Sequence, residues 1–352
     1  MRHARWLVPW EGSAEKPAIY HCISRVVDRR FVLGDEEREQ FRLFMRMQEK
    51  FSGCRVLAYS LMSNHFHILL EVTPVPVGGI SDELLLQRLA ATSTEASVAA
   101  VAKELLEAKA AGNEALLEEI RQRYTYRMHH LSEFMKALLI RFTRWFNRVH
   151  QRRGTLWEER FKSVIVEGGM AARTMAAYID LNPVRAGMVK DPADYRWSSY
   201  GEAVGGGAKG NGKKAREGLV RACLCHERVG FEAERWHEVS RIYRRLMGLA
   251  LGRKSGLAQL KSRGTSTKNT EEVLGSKDNE TVLPDLGAAM TLLHRVRYFT
   301  DGAVIGSKAF VNEAFRCSRD RFPASRKDGA RRMRGGGQGS AGQLWSLRDL
   351  RV

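Results

Sequence analysis

The chain has 352 residues, 43% of them hydrophobic and 28% charged, enough apolar content for real cores and too much for wholesale disorder. Fifty-eight Lys and Arg stand against 40 Asp and Glu, a net charge of +18, which points to a polyanionic partner, nucleic acid first. No run of about 18 apolar residues occurs, which excludes a hydropathy-defined membrane helix.

The N-terminal MRHARWLVPWEGSAEK has an apolar stretch too short for a signal-peptide core. Five scattered cysteines, Cys22, Cys54, Cys223, Cys225 and Cys317, suit a reducing cytoplasm better than a disulfide scaffold. Cys223-Leu224-Cys225-His226 invites a zinc reading, but no second ligand pair follows.

In chain order, residues 18–26 read as a strand. Residues 35–51 read as a helix with Asp35 as N-cap and apolar residues at 41, 44, 45 and 51, stopped by Gly53. Residues 55–62 and 65–72 read as two more strands around a Ser63-Asn64 turn. The latter strand has one apolar face, Phe66, Ile68, Leu70 and Val72, and one mixed face, His65, His67, Leu69 and Glu71. A helical region follows from about 81 to 150, with 95–122 read as exposed helix. Within it, Leu131, Phe134, Met135, Leu138, Phe142, Trp145, Phe146 and Val149 form one helical stripe. Lys136, Arg141, Arg144, Arg148 and Arg152 lie off that stripe, either as a solvated face or as a phosphate-tracking one.

Residues 161–167 read as a fourth strand, and 170–182 as a helix that Pro183 ends. The order β-α-β-β-α-β predicts an α+β fold with a ferredoxin-like antiparallel sheet covered on one face by helices. The expected organisation is a catalytic domain at 1–205 with a helical insertion at about 76–130. A basic, glycine-rich linker at 206–218 and a mostly helical, DNA-contacting accessory region at 219–352 follow. Residues 219–250 and 284–316 carry weaker helical patterns, and 262–282 read as loop. The tail from 319 holds nine Lys and Arg against three Asp.

The chemistry-bearing residues are few. His65 and His67 stand side by side on one strand face, either as a start to a divalent-metal site or as two polar residues facing solvent. Tyr178 and Asn182 lie one helical turn apart. A carboxamide can complete a two-histidine metal site, and a tyrosine can serve as an oxygen nucleophile or simply fill a core. Tyr195 and Tyr200, flanking Trp197, read as packing or stacking residues. Tyr124 and Tyr126 lie in the insertion without a partner motif.

MSNHFHILLEV, GTLWEERFKSVIVE, AAYIDLNPVRAGMV and DYRWSSYGEAVG occur in that order and resemble the IS200-like single-tyrosine HUH transposases, most closely the REP-associated tyrosine transposases. The resemblance covers about residues 14–205. It implies the ferredoxin-like fold, His65 and His67 as metal ligands, Tyr178 as nucleophile and Asn182 as third ligand, a position where many relatives carry Gln. The 76–130 insertion departs from the family pattern. Segments 295–315 and 344–351 resemble C-terminal extensions of some REP-associated members.

The expected activity is metal-dependent cleavage and strand transfer of single-stranded or hairpin DNA, using Mg²⁺ or Mn²⁺, through a 5′-phosphotyrosine. The alternative is a domesticated hairpin-binding protein with little turnover. Arg141, Arg144, Arg148, Arg152, Arg153, Lys213 and Lys214 are the candidate DNA contacts, membranes are not expected partners, and monomer and homodimer both remain open.

Overall fold

The computed structural model describes residues 5–11, 16–205, 212–224, 235–251, 289, 291–292, 298–333 and 343–348. Strands β1 (Ala18–Arg25), β2 (Arg55–Leu61), β3 (His65–Val72) and β4 (Lys162–Val166) pair antiparallel in the order β2-β3-β1-β4. This is the ferredoxin-like order that the element sequence predicts.

Helix α1 (Asp35–Ser52) joins β1 to β2. Its N-cap is Gly34, not Asp35: the Glu37 carboxylate reaches back to accept the Gly34 N–H at 2.8 Å. Gly53 ends it at φ +73°, a left-handed position that glycine takes without steric penalty. Between β3 and β4 lie α2 (Asp82–Leu89), α3 (Glu95–Ala110), α4 (Glu114–Thr125) and α5 (Leu131–Val149). The segment read as exposed helix is an α3–α4 hairpin with a small core of its own. Val101, Leu105, Leu117 and Ile120 pack there with Leu85 of α2 and Phe51 of α1. Alpha5 buries Leu131, Phe134, Met135, Leu138, Phe142 and Phe146. Val149 lies outside that buried stripe, 45% exposed at the helix end.

The sheet is covered on both faces, not one. Alpha1 and α5 pack over Tyr20, Cys22, Phe66, Ile68 and Leu70. On the other face, Ile19, Leu69, Val164 and Val166 meet α6 (Met170–Asp180), α9 (Lys213–Cys223) and α10 (Trp236–Ala250). A bulge between Val56 and Ala58 in β2 turns both Leu57 and Ala58 toward this second core. Alpha9 lies so close to β2 that a Cβ on Gly218 would sit 2.8 Å from the Leu57 carbonyl oxygen. Lys213 and Lys214, read as linker, therefore open a packed helix; residues 206–211 of that stretch lie outside the described residues.

Pro183 does not end helical structure. After Leu181 the chain takes a short turn, α7 (Asn182–Arg185), with proline in its first turn, where a missing N–H does no harm. Helix α8 (Ser199–Gly205) then packs on β2.

Among its described residues, the C-terminal region is mainly helical, as expected, and adds three short strands. Short helix α11 (Tyr298–Asp301) leads into β5 (Val304–Gly306), then α12 (Lys308–Cys317), β6 (Arg331–Arg332) and β7 (Trp345–Leu347). Beta5 pairs parallel with β4, and β7 and β6 continue outward to make a seven-stranded sheet. Glu167, just past β4, accepts from the backbone N–H and the hydroxyl of Ser307. The weak 284–316 periodicity missed β5 because three residues cannot display an alternation. No described helix is long and apolar enough to cross a membrane.

Candidate active site

The site lies on the α6 face of the sheet. Strand alternation sends Phe66 and Ile68 into the α1–α5 core and leaves His65 and His67 on the opposite side. Their rings meet edge to face with centroids 5.1 Å apart. Alpha6 crosses this face and sets the Tyr178 ring 5.7 Å from that of His67. The strand motif and the helix motif, more than 100 residues apart in the chain, thus converge.

Strand β1 supplies what sequence reasoning missed. Its Arg25 sits directly opposite His65, and Ile23 opposite His67. His21 is the diagonal neighbour of His67, and the two rings stack at 5.1 Å and 18°. His21 Nε2 is 2.9 Å from His67 Nδ1, and His21 Nδ1 is 2.8 Å from the Phe299 carbonyl oxygen. The signal was present in β1: His21 and Arg25 interrupt an otherwise apolar alternation. Only register shows that this face meets the histidine pair.

Burial shapes the electrostatics. His21 is pushed down to about 4 by burial. His65 is pushed to about 4 by burial and by the nearby Arg25 charge. His67 lies well below the ordinary imidazole range, through burial first and then its cationic and imidazole neighbours. All three rings are therefore neutral near pH 7, the state a metal ligand requires. Burial raises the Tyr178 hydroxyl to about 12, opposed by Arg185 and the Asn182 side chain. The Arg185 guanidinium lies 5.4 Å from the Tyr178 ring centroid. Phe299 stacks on the Tyr178 ring at 4.7 Å and 17°, and Tyr178 is 4% exposed.

Asn182 donates from Nδ2 to the Tyr178 and Ile179 carbonyls, at 3.2 and 3.4 Å. The second bond serves a carbonyl that Pro183, lacking an N–H, cannot serve. An amide ligates through oxygen, so this leaves Oδ1 as the atom available to a cation. His65 Nδ1 lies 2.7 Å from Asn64 Oδ1, and His67 Nδ1 is engaged by His21. Neither Nε2 has a hydrogen-bond partner among the described residues, so both imidazoles have a lone pair available to a divalent cation. Among those residues no group of three His, Cys, Asp or Glu could hold a metal.

The candidate DNA contacts are placed elsewhere. Alpha5 lies across the sheet from the histidines, and with it Arg141, Arg144 and Arg148. Arg141 donates to the Thr92 carbonyl at 3.0 Å, so it ties the insertion to α5. Arg152 donates to the Thr155 carbonyl, while Arg144, Arg148 and Arg153 are exposed. Lys213 is exposed on the α6 side, and Lys214 pairs with Glu217 at 2.8 Å. The rival tyrosines are packing residues: Tyr195 donates to the Leu61 carbonyl, and buried Tyr200 lies against Tyr243. Cys223 is partly buried at the end of α9, and Cys225 and His226 of the zinc reading lie outside the described residues.

No curated protein matches the chain. A solved structure described as a REP-associated tyrosine transposase bound to a REP hairpin is similar over 58% of this chain and 86% of that one, at 13% identity and a TM-score of 0.37. Residues 15–78 match the family model described as "Transposase IS200 like", a segment that contains β1, α1, β2 and β3 with His21, His65 and His67. Over this segment, which carries the histidine pair, the chain is similar to IS200-like transposases.

Proposed function

We propose that the protein cleaves and rejoins single-stranded or hairpin DNA in a divalent-metal-dependent reaction, with Tyr178 as nucleophile. The observation that carries this reading is the convergence of His65, His67 and Tyr178 on one sheet face, with the Tyr178 ring 5.7 Å from that of His67.

His65 and His67 would hold the cation, Mg²⁺ or Mn²⁺, through Nε2, with Asn182 Oδ1 as a third donor. When bound, the cation would withdraw charge from the scissile phosphate. The Tyr178 oxygen attacks phosphorus, its proton leaves to solvent, and the bond to the 3′ oxygen breaks. The products are a 5′-phosphotyrosine and a free 3′-OH. The retained phosphodiester lets another 3′-OH reverse the step without an external energy source. A hydroxyl held near 12 is almost wholly protonated at pH 7, so nearby positive charge is required. Arg25 and Arg185 both act on Tyr178 in that direction.

A second reading, hairpin binding with little turnover, is favoured by one observation: Phe299 covers the Tyr178 ring. Tyr178→Phe decides between them, because it removes one oxygen and keeps the stack. Under the catalytic reading, cleavage and the covalent adduct vanish together while hairpin affinity stays within a few-fold. Label on the 3′ fragment of a cleaved strand should migrate with wild-type protein on a denaturing gel. Tight binding by wild type with no cleavage in Mg²⁺ or Mn²⁺ would establish the binding reading instead.

A further inference from the structure

The proposed ligands leave His21, a polar group of this face, without a role. His21 is fully buried, carries none of the proposed chemistry, and touches both a proposed ligand and the C-terminal region.

Its hydrogen bonds have a direction. The Phe299 carbonyl oxygen can only accept, so His21 Nδ1 carries the proton and donates to it at 2.8 Å. A neutral imidazole has one N–H, which makes His21 Nε2 an acceptor. The partner at 2.9 Å, His67 Nδ1, must then be the donor. A neutral His67 protonated at Nδ1 has its lone pair at Nε2. The ordering is continuous: Phe299 carbonyl, His21, His67, open nitrogen. In the opposite tautomer, His67 would set one lone pair against another at 2.9 Å and carry a proton where a cation would bind.

We propose that His21, anchored by the Phe299 carbonyl, is a positioning residue that fixes the tautomer and ring orientation of His67 and so presents His67 Nε2 to a divalent cation. The proposal rests on the reading of His65 and His67 as ligands. An outer partner that holds an imidazole ligand in this way commonly changes metal affinity by about 10- to 100-fold when removed. The arrangement also gives the C-terminal region a part in the site. The residue that stacks on Tyr178 through its side chain orders the histidines through its backbone.

Two measurements on the full-length protein test this. Nitrogen-15 NMR of the metal-free wild type should show the His67 ring protonated at Nδ1, with Nε2 as the unprotonated nitrogen. Titration with Mn²⁺ should show His21→Leu binding about 10- to 100-fold more weakly than wild type. His21→Gln, whose amide can accept from His67 and donate to Phe299, should recover most of that loss. A His67 ring protonated at Nε2, or unchanged Mn²⁺ affinity in a folded His21→Leu variant, would overturn the proposal. If His21→Leu does not fold, the wild-type tautomer and the His21→Gln affinity decide. His67→Ala separates the two layers. Wild-type Mn²⁺ affinity in that variant would defeat the ligand reading itself. Loss there with full retention in His21→Leu would defeat only the role of His21.

Discussion

At the scale of single residues, the site is a problem of buried neutral groups. His65 and His67 are held neutral because burial opposes their charged forms. His65→Ala and His67→Ala should each abolish cleavage while leaving hairpin affinity within a few-fold, and excess chelator should reproduce both effects. A gel-based cleavage assay beside a binding titration checks this; undiminished cleavage by either variant contradicts the metal assignment. Arg25, opposite His65, is a cation whose charge acts on both histidines. Arg25→Ala should slow cleavage without weakening Mn²⁺ binding, since its charge favours the ionised Tyr178 hydroxyl and opposes positive charge at the histidines.

At the scale of elements, two contacts decide how the added helices sit. Glu202 of α8 accepts from Arg42 at 3.3 Å, from Arg46 at 2.9 Å and from the Tyr59 hydroxyl at 2.6 Å. It thereby joins α8, α1 and β2. Its side chain is 8% exposed. Arg42 and Arg46 keep Glu39 and Glu49 as partners, so Glu202→Ala removes the three hydrogen bonds that Glu202 accepts and leaves the Tyr59 hydroxyl without its acceptor. Equilibrium chemical denaturation should show a loss of roughly 2 kcal/mol.

The insertion is held partly by His129. Its Nδ1–H donates to the Thr73 carbonyl at 2.9 Å, and its Nε2 accepts from Arg88 at 3.0 Å. Burial lowers its pKa from 6.5, and protonation would turn the acceptor of Arg88 into a donor. Because the folded pKa is depressed, this contribution is fully present above the unfolded value of 6.5. It is lost as pH falls through the folded one. Hydrogen exchange in α2–α4 should therefore quicken on acidification from pH 7 toward 5. The change should be much smaller in His129→Gln, whose exchange at pH 7 serves as the reference.

At the scale of the whole molecule, the C-terminal strands and the net charge of +18 matter most. Beta5 covers the β4 edge, and Phe299 packs within the core that also holds Tyr178. A chain ending at residue 297 would expose that edge and the Tyr178 face, so its thermal midpoint should fall and its tendency to aggregate should rise. Affinity for a single-stranded hairpin should fall steeply with salt. Each phosphate contact adds about 0.7 log unit of weakening per log unit of salt, and a flat response would contradict an electrostatic mode.

The sequence by itself determined the four-strand ferredoxin-like order, because period-2 and period-3.6 patterns are local and survive in a single chain. It also placed His65 with His67 and Tyr178 with Asn182, since strand alternation and the helical turn are fixed by backbone geometry. Tertiary structure alone decided that Tyr178 meets the histidine pair on one face. It also decided that α5, with its arginines, lies on the other, because which side of a sheet a crossover helix covers is not written in its own periodicity. The same holds for His21. Its place beside His67 follows from the β1–β3 register and its role from the Phe299 carbonyl, 278 residues away. Hydrogen-bond direction at that distance exists only once the chain has closed on itself.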